Sequence, residues 1–311
     1  MAPRKIALVG IGKIARDQHI PSIAASDDWA LAAAVSRHGT VDGVPNYTDM
    51  AEMLEKHPEI GVVSLCLPPV PRYDYAVAAL KAGRHVMLEK PPGATLAEVH
   101  ALERIAKDKG LTLYASWHSR AAHCVPLAKA WLADKKITRF TVTWHEDVRK
   151  WHPGQDWVFE PGGMGIFDPG INALSIVTEI LPDPIHVQAA ELDVPANRQT
   201  PIAARMTFAH PHGAEVTADM NWDHQGADIW EIKAETDAGT LTLQQGGAVM
   251  TLDGHPTEPP REGLSGEYPR LYAHMAELVA KGAADVDLSP MIHVSDAMTL
   301  GKRNIVAAFD W

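Results

Sequence analysis

The segment KIALVGIGKIA, residues 5–15, decides how the first half of the chain is read. KIALVG (5–10) is an unbroken, mostly apolar run, the pattern of a strand covered on both faces. It stops at a glycine, and Gly10, Gly12 and Ala15 then stand in GxGxxA spacing ahead of a helical stretch running from Lys13 to about Ala25. Each small residue has a use there. Gly10 makes the tight turn, and Gly12 lets the backbone around Lys13 and Ile14 approach a pyrophosphate. Ala15 lets helix and strand pack closely, while the helix N-terminus supplies positive potential. The bare spacing also occurs in ordinary glycine turns. Its place between strand and helix points to a dinucleotide.

Outward from this turn, apolar runs alternate with helical patterns. ALAAAVS (30–36) is a second strand, and Asp49 opens a helix with Glu52 in capping-box position. IGVVSLCLP (60–68) is continuous and buried in type, RYDYAVAALKAG (72–83) is helical, and HVMLE (85–89) is another strand. Thr95 and Glu98 cap a helix running to about Lys109, and LTLYASW (111–117) closes the series. This alternation predicts a Rossmann-type open parallel sheet. HSRAAHCVPLAKAWL (118–132) reads as helix, and the character then changes. ITRFTVTWHEDV, HVQAAELDV, IAARMTFAH, GAEVTADMNW, WEIKAET and TLTLQQG alternate polar with apolar, which predicts an open, mainly antiparallel sheet in an α+β domain. Helices are expected at about 168–180 and 268–281, with a last helical pattern ending the chain. The expected division is 1–122 for dinucleotide binding and 123–311 for the substrate.

The chain has 28 Lys and Arg against 39 Asp and Glu, a formal charge of −11, which argues against nucleic acid as a partner. The apolar fraction of 46% and charged fraction of 22% are those of a globular protein. Cys66 and Cys124 are the two cysteines, too few for a disulfide framework. No apolar run approaches the ~20 residues of a membrane span. MAPRKIALVGIG leaves no room for a signal peptide, so a cytoplasmic protein is expected. Sixteen histidines include His145, His152, His210 and His212, but no spacing matches a zinc-ligand pattern, and no metal is expected.

The second strand ends AVSRH: Ser36, Arg37 and His38 stand where an NAD site usually places an acid. Arg37 can pair with a 2′-phosphate and lie on adenine, so NADP is the expected cofactor and NAD a weaker second. The alternative is an arginine merely solvated at a strand end.

Two further stretches complete the pattern: LEKPPGATLAE (88–98) and GGMGIFDPGIN (162–172). With them the chain resembles, over essentially its full length, the Gfo/Idh/MocA oxidoreductases. These pair a nucleotide domain with an open-sheet domain and carry Glu-Lys-Pro at their junction. Glu89-Lys90-Pro91 matches that motif, which implies a cis Lys90–Pro91 bond and places Glu89 and Lys90 with the cofactor. Asp168 to Asn172 matches the family's Asp-x-x-x-His, except that Asn172 replaces the histidine usually assigned as acid/base. The bacterial branch that oxidises C1 of L-arabinose and D-galactose to a lactone shares that departure, and the chain looks most like it. The resemblance thus implies catalytic roles for Lys90, Asp168 and Asn172. Asp168 as base and neutral Lys90 as base both remain open. Asp168 is also open to a plainer reading, a helix N-cap followed by Pro169. Glu146, Trp151 and His152, with Asp156 and Trp157 nearby, mix carboxylate, imidazole and indole as a sugar pocket does. In the family the resemblance points to, the open sheet is often a subunit interface, so a homo-oligomer through it and a monomer both remain open. The rivals are inositol, dihydrodiol or carbonyl chemistry on the same fold, and a non-catalytic dinucleotide sensor.

Overall fold

The structure, a computed structural model, describes residues 2–257 and 264–311. It falls into two compact units: 1–118 with 264–287, and 119–263 with 288–311. The division therefore differs from a single cut at 122. The chain leaves the first unit after His118, returns to it at Leu264 and leaves again after Asp287.

The first unit is built on six parallel strands: β1 (Arg4–Val9), β2 (Trp29–Val35), β3 (Asn46–Tyr47), β4 (Val62–Leu65), β5 (His85–Glu89) and β6 (Leu113–Ser116). Their order is β3-β2-β1-β4-β5-β6, as expected of a doubly wound sheet. Gly10 follows β1, which pairs with both β2 and β4, so the glycine turn sits where the winding direction reverses. The helix after it opens as a widened turn over Ala15–His19 and continues as α1 (Ile20–Ala24). Helices α2 (Met50–Lys56), α3 (Pro69–Lys81) and α4 (Leu96–Asp108) make the other crossovers. Asp49 caps α2 through Ala51 N–H, while Glu52 accepts from Lys56 instead of closing a capping box. Thr95 and Glu98 form the reciprocal box on α4. The returning segment is α8 (Glu267–Lys281), whose Tyr268, Leu271, Tyr272 and Met275 are buried in this unit.

The second unit centres on a sheet of nine described strands: β7 (Ile137–His145), β8 (His186–Pro195), β9 (Ala203–Ala209), β10 (Glu215–Asn221), β11 (Ile229–Thr236), β12 (Gly239–Gln244), β13 (Val249–Leu252), β14 (His255–Thr257) and β15 (Lys302–Val306). Pairing is antiparallel except for β7 with β10 and β8 with β15. Burial alternates along β9 and β10, the mark of a sheet with one covered and one open face. Helices α5 (Val125–Leu132), α7 (Phe167–Ile180) and α9 (Ser289–Leu300) pack on the covered side, and a four-residue α6 (Val148–Trp151) follows β7. The segment 118–132 is a short 3₁₀ turn and then α5, not one helix. The last helical pattern is α9, and after it the chain runs as the edge strand β15. No helix among the described residues is long and apolar enough to cross a membrane.

Candidate active site

Each unit carries its own set of candidate side chains. At the glycine turn, Gly10 has φ +91°, and a Cβ there would lie 3.0 Å from Cys66 C and Leu67 N of the loop after β4. Only glycine satisfies both demands. A Cβ on Gly12 would meet nothing within 4 Å, so the backbone there stands open, as a pyrophosphate cradle requires. These residues fit a dinucleotide. Lys13 and Ile14 are exposed beside it, with Lys13 paired to Asp17.

At the end of β2, Ser36 Oγ accepts the N–H groups of His38 and Gly39 at 3.4 and 3.2 Å, which curls the loop and leaves Arg37 and His38 exposed. A second cation emerges that the motif reading missed. Arg16 donates to Thr40 O at 3.2 Å and lines a hollow of about 520 Å³ with Ile20, Thr40, Val41 and Asp42.

The Lys90 turn is held from both sides. The Lys90–Pro91 bond is cis. Buried Arg72 donates to the carbonyls of Leu67, Glu89 and Pro91, bracketing Lys90. Glu89 Oε2 accepts the Lys90 N–H at 2.9 Å, and Oε1 accepts from Tyr268 Oη at 2.9 Å and meets His19 Nε2 at 3.1 Å. Glu89 was expected with the cofactor; its carboxylate is 5% exposed and turned into this cluster. Burial would raise its pKa, but His19 by hydrogen bond and charge, with His118 and Tyr268, outweighs that and holds it at about 2. Burial disfavours charge on His19 too, yet Cys66, Tyr272 and Glu89 raise its pKa well above the ordinary value. His118 is likewise raised against burial, chiefly by Glu267, whose Oε2 lies 2.6 Å from Nδ1. The nearby charge of Lys90 acts in the opposite sense on His118.

In the second unit, α7 starts at Phe167 after the Ile166 N-cap, so Asp168 lies inside the first turn. The capping alternative is not realised. The Asp168 carboxylate, 7% exposed, instead meets His152 Nε2 at 3.2 Å. His152 Nδ1 lies 3.3 Å from Gln155 Oε1, which also accepts from Trp157 Nε1 at 3.0 Å. Asn172 follows one turn along α7 on the Asp168 face. Glu146, expected as a sugar contact, is 5% exposed; its oxygens accept the indole N–H groups of Trp222 at 3.0 Å and Trp230 at 2.8 Å. Trp230 stacks on Trp144 with centroids 5.9 Å apart and meets Trp151 at a tilt of 43° with centroids 5.6 Å apart, and Trp151 is exposed. Glu146 thus fixes an aromatic wall that ends at Trp151. Among the described residues, no group of three or more His, Cys, Asp or Glu is placed to hold a metal ion.

Residues 4–116 match the oxidoreductase family with the NAD-binding Rossmann fold, Gfo/Idh/MocA. Galactose 1-dehydrogenase of Pseudomonas fluorescens is 39% identical over 318 residues, covering 99% of each chain. The crystal structure of D-galactose-1-dehydrogenase from Rhizobium etli is 52% identical, with a TM-score of 0.95 over 100% of this chain and 99% of that one. KijD10, a 3-ketoreductase from Actinomadura kijaniata solved with NADP, shares the fold at 17% identity and a TM-score of 0.81, over 99% of this chain and 100% of that one. By sequence over its full length, the chain belongs to the Gfo/Idh/MocA oxidoreductase family.

Proposed function

We propose that this oxidoreductase is an NADP-preferring aldose 1-dehydrogenase, oxidising C1 of D-galactose, L-arabinose and sugars sharing their C2–C4 stereochemistry to the aldonolactone. The observation that carries the reading is full-length likeness to two galactose 1-dehydrogenases, at 39% and 52% identity. Cofactor preference rests on the end of β2, which offers the exposed Arg37 and His38 beside Ser36 and no carboxylate.

When bound, the nicotinamide accepts the hydride that leaves C1. The chain must then take the hydroxyl proton, orient the sugar and steady the charge growing on oxygen. Asp168 takes the proton from the C1 hydroxyl. His152, 3.2 Å away and with a side chain 25% exposed against 7% for Asp168, passes it outward. The imidazole that other members carry four residues after the aspartate is thereby supplied from the loop after α6. Asn172 holds a neighbouring sugar hydroxyl, and Lys90, fixed at its backbone by Arg72 and Glu89, supplies the positive charge. Trp151 offers its indole to the apolar face of the ring. The open face of the second sheet joins copies into a homo-oligomer.

The test is the fate of C1. D-Galactose incubated with NADP⁺ and hydroxylamine should give galactonohydroxamate, and deuterium at C1 should slow turnover. Cofactor reduction without hydroxamate, and without an isotope effect at C1, would place the oxidation at another carbon and sink the reading.

A further inference from the structure

The segment after β15 makes contacts that the catalytic reading does not use. Phe309 is 3% exposed. Its N–H donates to Asn197 Oδ1 at 2.9 Å, and its carbonyl accepts from Asn197 Nδ2 at 3.0 Å and Arg198 Nε at 3.3 Å. Two residues on, Trp311 Nε1 donates to Asp156 Oδ1 at 2.8 Å, the same oxygen that accepts from Arg198 Nη1 at 2.6 Å. The Arg198 guanidinium lies 5.3 Å from the Phe159 ring, 5.7 Å from Phe309 and 5.9 Å from Trp311. Arg149, on α6, lies 4.5 Å from the Phe309 ring. The segment thus grips the chain on both sides of His152, at Arg149 before it and at Asp156 and Phe159 after it.

That loop needs an outside grip. His152-Pro153-Gly154-Gln155 follows a helix of only four residues, and Gly154 has φ +68°. Its own backbone bonds are few: His152 N–H reaches Val148 O at 2.8 Å, Gln155 N–H reaches His152 O at 3.1 Å, and Gln155 O accepts from Val158 N–H at 3.2 Å; the far end is held at Phe159 O by Gln199 N–H at 3.2 Å. Asp156 has a side chain 58% exposed and Trp311 is 39% exposed, so their bond lies at the surface and adds little to the core. It fixes where the loop rests.

We propose that Phe309–Trp311, with Arg198 and Asp156, is a latch that holds the loop 152–159 in the position from which His152 meets Asp168. These are positioning residues, and the inference rests on the roles given above to His152 and Asp168. A loop free to shift by an ångström would lose much of its effect on the reaction.

Hydrogen exchange over 149–160 should be compared in the wild type, Trp311→Ala and Asp156→Asn, beside steady-state kinetics with D-galactose and NADP⁺. Exchange should quicken in that loop alone. kcat/KM for galactose should fall roughly tenfold, with an altered pH profile and an unchanged KM for NADP⁺; Asp156→Glu should recover part of the loss. Unchanged exchange in both variants overturns the latch whether or not the enzyme oxidises sugars. Faster exchange with wild-type galactose kinetics also overturns it, since His152 would not depend on the segment. Faster exchange in a protein whose wild type turns over no aldose would retire the sugar reading and keep the latch.

Discussion

Glu89 is a buried charge, and its neighbours explain how it stays one. Removing it leaves protonated His19 without its counter-charge, so Glu89→Gln should cost roughly 3–5 kcal/mol in urea unfolding, and a loss under 1 kcal/mol would contradict the cluster described. The sign with pH follows from the pKa values. Glu89 is lowered from 4.5 to about 2, so its contribution is full above about pH 4.5 and fades as pH falls toward 2. His19 and His118 are raised from 6.5, so theirs is full below about 6.5 and is lost as pH climbs through their higher folded values. Thermal scans should show both limbs in the wild type and a shallower acid limb in Glu89→Gln. Two substitutions test the chemistry. Asp168→Asn should lower kcat by about 10²–10⁴ with little change in cofactor affinity. Arg37→Ala should raise the KM for NADP⁺ about 10–100-fold and leave that for NAD⁺ alone; equal losses with both would remove Arg37 from the 2′-phosphate. At this scale motif positions were legible because their spacing is local. Arg72, His19, Arg16 and Arg198 were not, since each acts on residues far along the chain.

Elements were legible where a local signal sets their ends. The box at Thr95 and Glu98 starts α4 as its spacing predicts, and HVMLE is β5 residue for residue. Thr95→Ala should lower stability by about 1 kcal/mol, read as a shifted urea midpoint at constant slope. Long-range partners decide the other ends. α7 begins before Asp168 because Gly165 turns with φ +56° so close to Pro201 that a Cβ would lie 2.2 Å from its carbonyl oxygen. The residues after α9 become β15 because β8 offers a free edge to pair with, and Lys302–Val306 aligns with Glu191–Pro195. No pattern within 302–306 announces that.

For the whole molecule, the reading of a parallel sheet followed by an open, mainly antiparallel one holds because strand type shows in residue alternation. The return of α8 was not legible: its amphipathic face fits any apolar surface, and distant partners tie it to the first unit, with Tyr268 meeting Glu89, Tyr272 meeting His19 and Trp29, and Glu267 meeting His118. The open sheet face carries Thr141, Thr143, Thr207 and Thr217 around a hollow of about 560 Å³. Light scattering should find a homo-oligomer that Thr217→Arg dissociates; a wild-type monomer at micromolar concentration would end that proposal. The most direct test of the account is the initial rate at 340 nm with NADP⁺ or NAD⁺ against D-galactose, L-arabinose, D-glucose, D-xylose and myo-inositol. Fastest turnover of the first two, with NADP⁺ ahead of NAD⁺ at equal low concentration, is the predicted result. Tight NADP⁺ binding with no turnover of any aldose would contradict it.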